Sequence, residues 1–351
     1  MRFFSYIRNM SLRLRLGTTC VRAGRSVIRV LAWIPVLFVA IVLVWGYYVY
    51  VYVMNISGTF PKGSPIVNTI VSVFFIACAH VIFALQLTSY LRTIFTTHKP
   101  IPEQFKLTEA QLDRLDDMDD DQTLLKQLAQ DLPVKQCSRS GNVRYCDGCD
   151  LLKPDRTHHC SMCNRCVLKM DHHCPWVNNC VGWSNYKFFV LFLFYTVVLC
   201  VWVATTGAWD FIKAWHGTVK DHSSDKFNVI FCMIVCSLFG LSSLSLLVFH
   251  TYLSLFNKTT LENMQPPRVA QGVDRRLYFL GFKENLREVF GSNFLLAMLP
   301  VATSLGDGVT YKTRSISGHV EMGVVTTGGQ SSAESDADAT ETQPLTSQVQ
   351  V

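Results

Sequence analysis

Four uncharged apolar runs predict an α-helical polytopic membrane protein, and a short stretch crowded with cysteine and histidine places a small cysteine-rich domain between the second and third. Composition agrees, with 49% of the 351 residues hydrophobic and only 17% charged. Charge distribution then orients the chain. Seven arginines and no acid precede the first run. A basic arm can bind nucleic acid, but set directly before a long apolar run it marks a cytosolic flank against anionic lipid. No nucleic-acid partner is expected.

In chain order, residues 1–29 are this basic cytosolic arm, which includes Cys20, a juxtamembrane thiol open to palmitoylation. No charge occurs from there to Lys62, and 30–54 reads as transmembrane helix 1, since about 20 residues at 1.5 Å each cross a bilayer core. Its far end carries Trp45, Tyr47, Tyr48, Tyr50 and Tyr52, an aromatic belt. The sequon at Asn55 lies too close to the membrane for use. Transmembrane helix 2 covers 66–91; His80 and Gln86 inside it read as packed, hydrogen-bonding residues. Residues 92–186 form a polar cytosolic loop. Within it, the leucines of Thr108–Asp131 and six aspartates predict short helices joined by an acidic turn and closed by Pro133. The acidic run lacks the central Gly and closing Glu of an EF-hand and reads as a solvated face. Transmembrane helix 3 is 188–209 and helix 4 is 227–255, where Gly240, Ser242, Ser243 and Ser245 permit close helix contact. No acid lies in these spans, which argues against a transporter. Four spans put both termini, and the loop, on the cytosolic side. A cytosolic C-terminal region, 256–304, follows, and the polar composition of 305–351 predicts disorder.

The organising stretch is Cys146–Cys180, which holds seven of the chain's 13 cysteines and four of its 10 histidines. Tetrahedral structural zinc takes such ligands in C-x2-C knuckles, present here as Cys146/Cys149, Cys160/Cys163 and Cys163/Cys166. Two closed sites need eight ligands. Six cysteines (Cys146, Cys149, Cys160, Cys163, Cys166, Cys180) and two histidines supply them, and one cysteine is left over in Asp171-His172-His173-Cys174. In an extended segment His172 and Cys174 share one face and His173 takes the other. One face then suits a metal, and the other a thiol with a histidine base and an orienting carboxylate. The fold class is thus four transmembrane helices with a two-zinc domain of short β-hairpins (136–186).

The pattern C-x2-C-x9-H-C-x2-C-x2-C-x4-D-H-H-C-x5-C resembles the cysteine-rich domain of the DHHC family of protein S-acyltransferases, without a gap across the window. The resemblance implies one structural zinc on Cys146, Cys149, His159 and Cys166, and a second on Cys160, Cys163, His173 and Cys180. It implies Cys174 as acyl-accepting nucleophile, His172 as its base and Asp171 as the residue that orients His172. Thr259-Thr260-Leu261-Glu262 matches the family's Thr-Thr-x-Glu motif, in which Thr260 would hydrogen-bond Asp171; alone it is an ordinary capping box. Asn285, in a segment similar to the family's C-terminal motif, would tie the tail to the membrane domain. One departure is His98-Lys99-Pro100 where the family often has Asp-Pro-Gly after span 2.

Further implications are protein S-palmitoyl transfer from long-chain acyl-CoA, such as palmitoyl-CoA, to cytosol-facing protein cysteines near the bilayer, and residence in the Golgi membrane first, with the plasma membrane and the endosome as alternatives. Trp176, Phe189 and Phe192 would line an acyl cavity among the helices. Arg156 and Lys187 are candidates for the CoA phosphates. A membrane-anchored zinc module of the RING type would use the same ligands, but it gives Cys174 no role.

Overall fold

The computed structural model describes residues 28–57, 65–116, 121–217 and 223–314; the basic arm with Cys20, and the tail from 315, lie outside the described residues. Among the described residues, four helices are long and apolar enough to cross a membrane: α1, Ile28–Ser57; α2, Ile66–Phe95; a third of 21 residues, Tyr186–Thr206; and a fourth, Ser224–Leu255. The first, second and fourth outrun the limits read from hydropathy at one or both ends, where polar turns such as residues 92–95 continue the helix, and the third is shifted, beginning at Tyr186 and ending at Thr206. A turn at Ala32 and Trp33 interrupts α1 near its start, so Pro35 falls in the first turn of the segment Ile34–Tyr48, where its missing amide costs little. The last stretch of α1, Val49–Ser57, winds as a π-helix, and Asn55 is buried there, its Nδ2 donating to Tyr50 O at 2.8 Å. His80 is held by Tyr47 Oη at 2.6 Å and Ile76 O at 2.7 Å.

Between α2 and the third span come α3 (Glu109–Asp116), α4 (Asp121–Ala129) and three antiparallel hairpins. These are β1 (Tyr145–Cys146) with β2 (Leu151–Leu152), β3 (His158–Cys160) with β4 (Arg165–Val167), and β5 (His172–Cys174) with β6 (Asn179–Val181). Each turn ends on a left-handed residue, Asp150 (φ 51°), Asn164 (φ 50°) and Asn178 (φ 45°). Asx side chains tolerate that region best after glycine, which accounts for these residues at these places.

The third span, α5 (Tyr186–Thr206), lies between α2 and the fourth span; after it come α6 (Ala208–Trp215), then the fourth span α7 (Ser223–Leu255) and α8 (Thr260–Met264). Gly240 of α7 lies so close to α5 that an added Cβ would sit 3.0 Å from Cys200 Cβ. A short hairpin, β7 (Arg268–Val269) with β8 (Gly272–Val273), leads to α9 (Phe282–Phe290) and α10 (Phe294–Ala297).

The cysteine-rich domain is bolted to the spans at two places. Asn179 Nδ2 donates to Thr93 O, Ile94 O and Thr96 O (3.2, 3.1 and 3.2 Å), and Asn185 Nδ2 to Thr93 O at 3.1 Å. These are the carbonyls that a helix end leaves unpaired, so hairpin β5–β6 caps α2. His98, of the variant tripeptide after span 2, is buried at the same junction, within 3.0 Å of Cys180 O. The second bolt is Arg156, wholly buried, which donates to both carboxylate oxygens of Glu262 (2.8 and 2.7 Å) and to Asn257 at the end of α7.

The composition misleads at one end. Residues 305–314, read as the start of a disordered tail, pack against the domain. Val309 is buried, the Tyr311 ring lies 5.0 Å from the Arg156 guanidinium, and Arg314 N donates to Leu277 O at 2.9 Å. Asp307 Oδ1 accepts from Val309 N and Thr310 N, a local turn, and Gly308 (φ +79°) approaches Trp183 too closely for any Cβ. Two anchors and a turn suffice where average polarity predicts none.

Candidate active site

The three hairpins are one unit repeated every 14 residues. Cys146, Cys160 and Cys174 end the first strand of each, and the third turn residue after them is Cys149, Cys163 and Val177. The residue before each is Tyr145, His159 and His173, and the partners of these in register are Leu152, Cys166 and Cys180. Each knuckle therefore meets the His/Cys pair of the next hairpin, which is why the sites interleave. His159 Nδ1 lies 3.4, 3.3 and 3.9 Å from the sulfurs of Cys146, Cys149 and Cys166. His173 Nδ1 lies 3.6, 3.4 and 3.7 Å from those of Cys160, Cys163 and Cys180. Tetrahedral zinc with bonds of about 2.1–2.3 Å spaces its ligands about 3.6 Å apart. Both groups fit a metal ion, and each is a complete Cys3His set. The third knuckle has Val177 for its second cysteine and no fourth hairpin to meet. Cys174 is left unligated by the end of the ladder.

Strand alternation then aims the freed thiol. His173 turns to its sulfur cluster, while His172 and Cys174 both line a cavity of about 600 Å³ among the four spans. His172 Nδ1 donates to Asp171 Oδ2 at 2.7 Å. Asp171 has no exposed surface and also accepts from Thr260 N at Oδ1 (2.8 Å) and from Thr260 Oγ1 at Oδ2 (2.7 Å). Burial raises its carboxyl pKa, but the His172 and Thr260 hydrogen bonds outweigh this and hold it below the usual carboxylate range. Burial likewise disfavours the His172 cation, yet the hydrogen bonds and charges of Asp171 and Cys174 raise its pKa to about 9. With Nδ1–H committed to Asp171, Nε2 is the nitrogen available to the Cys174 thiol.

The Thr-Thr-x-Glu segment performs two tasks at once. Thr259 caps α8 through Glu262 N, and Glu262 returns the bond to Thr259 N at 2.9 Å, so the capping box is real. That cap fixes the next residue, Thr260, against Asp171. Asn285 Nδ2 donates to Leu255 O at 2.7 Å, at the end of α7.

Trp176, Phe189 and Phe192 all line the cavity, with Trp176 half exposed at its mouth. The lining continues along α5 from Phe189 to Val203, about 21 Å at 1.5 Å per residue. The two candidate phosphate contacts are elsewhere. Arg156 is consumed by Glu262 and Asn257, and Lys187, 2% exposed, donates to Leu296 O, Val301 O and Thr303 Oγ1. Each sits in a polar-looking stretch that tertiary packing seals. One residue of the site escaped the sequence reading. His250 of α7 is 3% exposed and lies beside Asp171 and His172. Its only signal was an ionisable residue within an apolar span.

Comparison with known proteins matches this geometry. Residues 139–267 match the family model described as DHHC palmitoyltransferase. The chain is 41% identical over 309 residues to bovine palmitoyltransferase ZDHHC20, covering 86% of this chain and 82% of the relative. It is 40% identical over 315 residues to human palmitoyltransferase ZDHHC2, covering 89% and 84%. Human palmitoyltransferase ZDHHC20 is 40% identical over 304 residues, 85% of this chain and 81% of the relative, and identity at this level over most of both chains carries the conclusion that the chain belongs to the DHHC palmitoyltransferase family.

Proposed function

We propose that this integral membrane protein is a protein S-palmitoyltransferase that works by two-step acyl transfer through Cys174. The single observation that carries the mechanism is the unligated Cys174 beside an Asp171–His172 pair at the mouth of a long apolar cavity. In the first step His172 Nε2 takes the Cys174 thiol proton, as its raised pKa favours, and the resulting thiolate attacks the thioester carbonyl of a long-chain acyl-CoA. The carbon–sulfur bond to CoA breaks, and the departing thiolate takes that proton. In the second step His172 accepts the proton of a substrate cysteine, whose sulfur displaces Cys174 from the acyl group. Cys174 regains the proton. One thioester replaces another in each step, so positioning matters more than driving force.

The cavity suits the acyl chain, since about 0.8 kcal/mol per CH2 favours burial over water. Trp176, Phe189 and Phe192 would contact it near the thioester. A second cavity, about 520 Å³, is lined by Arg139, Arg144 and Arg268 and by one carboxylate, Glu262, which Arg156 already pairs; its net positive lining suits the CoA nucleotide. Two zinc ions on the Cys3His sets would cross-link the hairpins that hold Cys174; closed sites leave no position for a metal-bound water. The arginine-rich arm supports a cytosolic face for the site, where acyl-CoA and membrane-proximal protein cysteines meet. Family resemblance is the support for residence in the Golgi membrane, with the plasma membrane and the endosome as the alternatives, and co-staining of the full chain against markers of all three tests it.

The two steps separate in a chase. Protein loaded with labelled palmitoyl-CoA in nanodiscs is freed of excess CoA ester, then given a lipid-anchored cysteine peptide. The proposal expects label to move from protein to peptide thiol. Label that stays on the protein while the peptide remains bare would contradict the transferase reading.

A further inference from the structure

His250 has an ordinary reading, a buried histidine satisfied by a neighbouring hydroxyl. Tyr186 Oη provides that neighbour, 3.2 Å from His250 Nδ1 and 3.4 Å from its carbonyl oxygen. The geometry does not end there. One ring nitrogen of His250 lies within 4.8 Å of both a carboxylate oxygen of Asp171 and a ring nitrogen of His172. The two imidazoles are 5.9 Å apart between centroids. Phe189 meets both edge-on, at 5.3 Å from His172 and 5.0 Å from His250. Three separate elements converge on this point: Asp171 and His172 come from the edge of β5, Tyr186 and Phe189 from the first turn of α5, and His250 from α7, five residues before its end.

We propose that His250 is a positioning residue for acyl transfer: backed by Tyr186, it holds the His172 imidazole against Asp171 in the rotamer that turns Nε2 toward Cys174. The inference rests on the transferase reading above and extends it. His172 is 29% exposed on its side chain, so packing on one side only would leave the ring free to swing toward the cavity. Phe189 closes one side of the ring and His250 another. An ionisable residue in an apolar span, with its polar atoms turned to a catalytic pair rather than to lipid, is where membrane proteins place function. Because both half-reactions route their proton through His172, loss of this support slows both. It leaves acyl-chain binding, which the apolar cavity governs, largely intact.

The test is a steady-state comparison on the full-length, detergent-purified protein. With the lipid-anchored cysteine peptide as acyl acceptor, CoA release from palmitoyl-CoA is followed for wild type, His250→Ala, His250→Phe, His250→Asn, Tyr186→Phe and the His250→Ala/Tyr186→Phe double variant. Zinc content and thermal midpoint are read on each. Positioning predicts that Ala and Phe lower kcat by about tenfold to a hundredfold, as misplacement of a reacting group does. It predicts KM within about twofold and full zinc content. Asn, which can still bond Tyr186, should recover part of the rate. The double variant should be no slower than His250→Ala alone, since the two residues act as one unit. His250→Phe at the wild-type rate would overturn the inference, leaving ring volume as the whole role. So would rates that fall only in step with zinc content and melting point. A wild type that releases no CoA would instead sink the transferase reading and the inference with it.

Discussion

Asp171 accepts three hydrogen bonds with no exposed surface, so its charge is fully committed to orienting His172 and docking Thr260. Asp171→Asn keeps the volume but must turn an amide N–H toward at least one donor. Acyl-enzyme formation is expected to fall about 10²–10⁴-fold, the range in which general base catalysis and its orienting carboxylate act. Zinc content should be unchanged, because Asp171 ligates nothing; initial rates of palmitoyl-CoA labelling with parallel metal analysis check both. At this scale the motif residues were legible because chemistry restricts them: a thiol, an imidazole and a carboxylate in consecutive register have few other uses. Arg156 was not. Its neighbours Asp155 and Thr157 look like surface, and nothing local reveals that Arg156 takes φ 62° and disappears under Glu262. His250 was hidden for the complementary reason, since only the passage of α7 past β5 gives it a neighbour.

The hairpin repeat explains the site at the level of elements. Metal sites form between successive hairpins, so a third knuckle with no successor yields a free cysteine at a fixed place in the fold. The 14-residue period was visible in the sequence as Cys146, Cys160 and Cys174, and it would have revealed the interleaving that ligand counting alone leaves open. Besides the Asp171–Thr260 bonds, the hairpins are linked to the α7–α8 corner by the Arg156–Glu262 pair, at 0% and 5% side-chain exposure. Breaking a buried pair from one side strands the other charge. Arg156→Ala is therefore expected to cost about 3–5 kcal/mol of stability. The double substitution Arg156→Met with Glu262→Leu should recover only part of this, because Glu262 also caps Thr259 N. Denaturant melts of the detergent-solubilised chain, followed by proteolysis of the hairpin region, measure both; additive losses would argue against a coupled pair.

For the whole molecule, apolar spans set the cavity and metal sites set the lid over it. Hydropathy found the spans because each holds the roughly 20 apolar residues that a bilayer core requires, and it missed the polar turns that extend three of them. It also passed over the strap at 305–314, whose order depends on Val309, Tyr311 and one glycine against Trp183. The hairpins have only two or three residues per strand, and Leu151, Leu152 and Leu168 share an apolar cluster with Phe105 and Leu125, so bound metal is expected to add to that core much of the energy that orders them. Chelation is expected to abolish acyl-enzyme formation together with protease resistance of residues 146–180, with the spans still helical by circular dichroism. Zinc should restore both. Loss of activity with the hairpins still protected would point to a metal role in the chemistry itself. The central claim is that the cysteine outside the metal ladder takes the acyl group, and one measurement addresses it most directly. Full-length protein, wild type and Cys174→Ser, is incubated with labelled palmitoyl-CoA, digested, and the acylated peptide identified by mass before and after hydroxylamine. The account predicts a hydroxylamine-labile acyl group on the Cys174 peptide of the wild type and none in the variant. An acyl group that persists in Cys174→Ser, or a zinc-loaded wild type that takes no label, would contradict it.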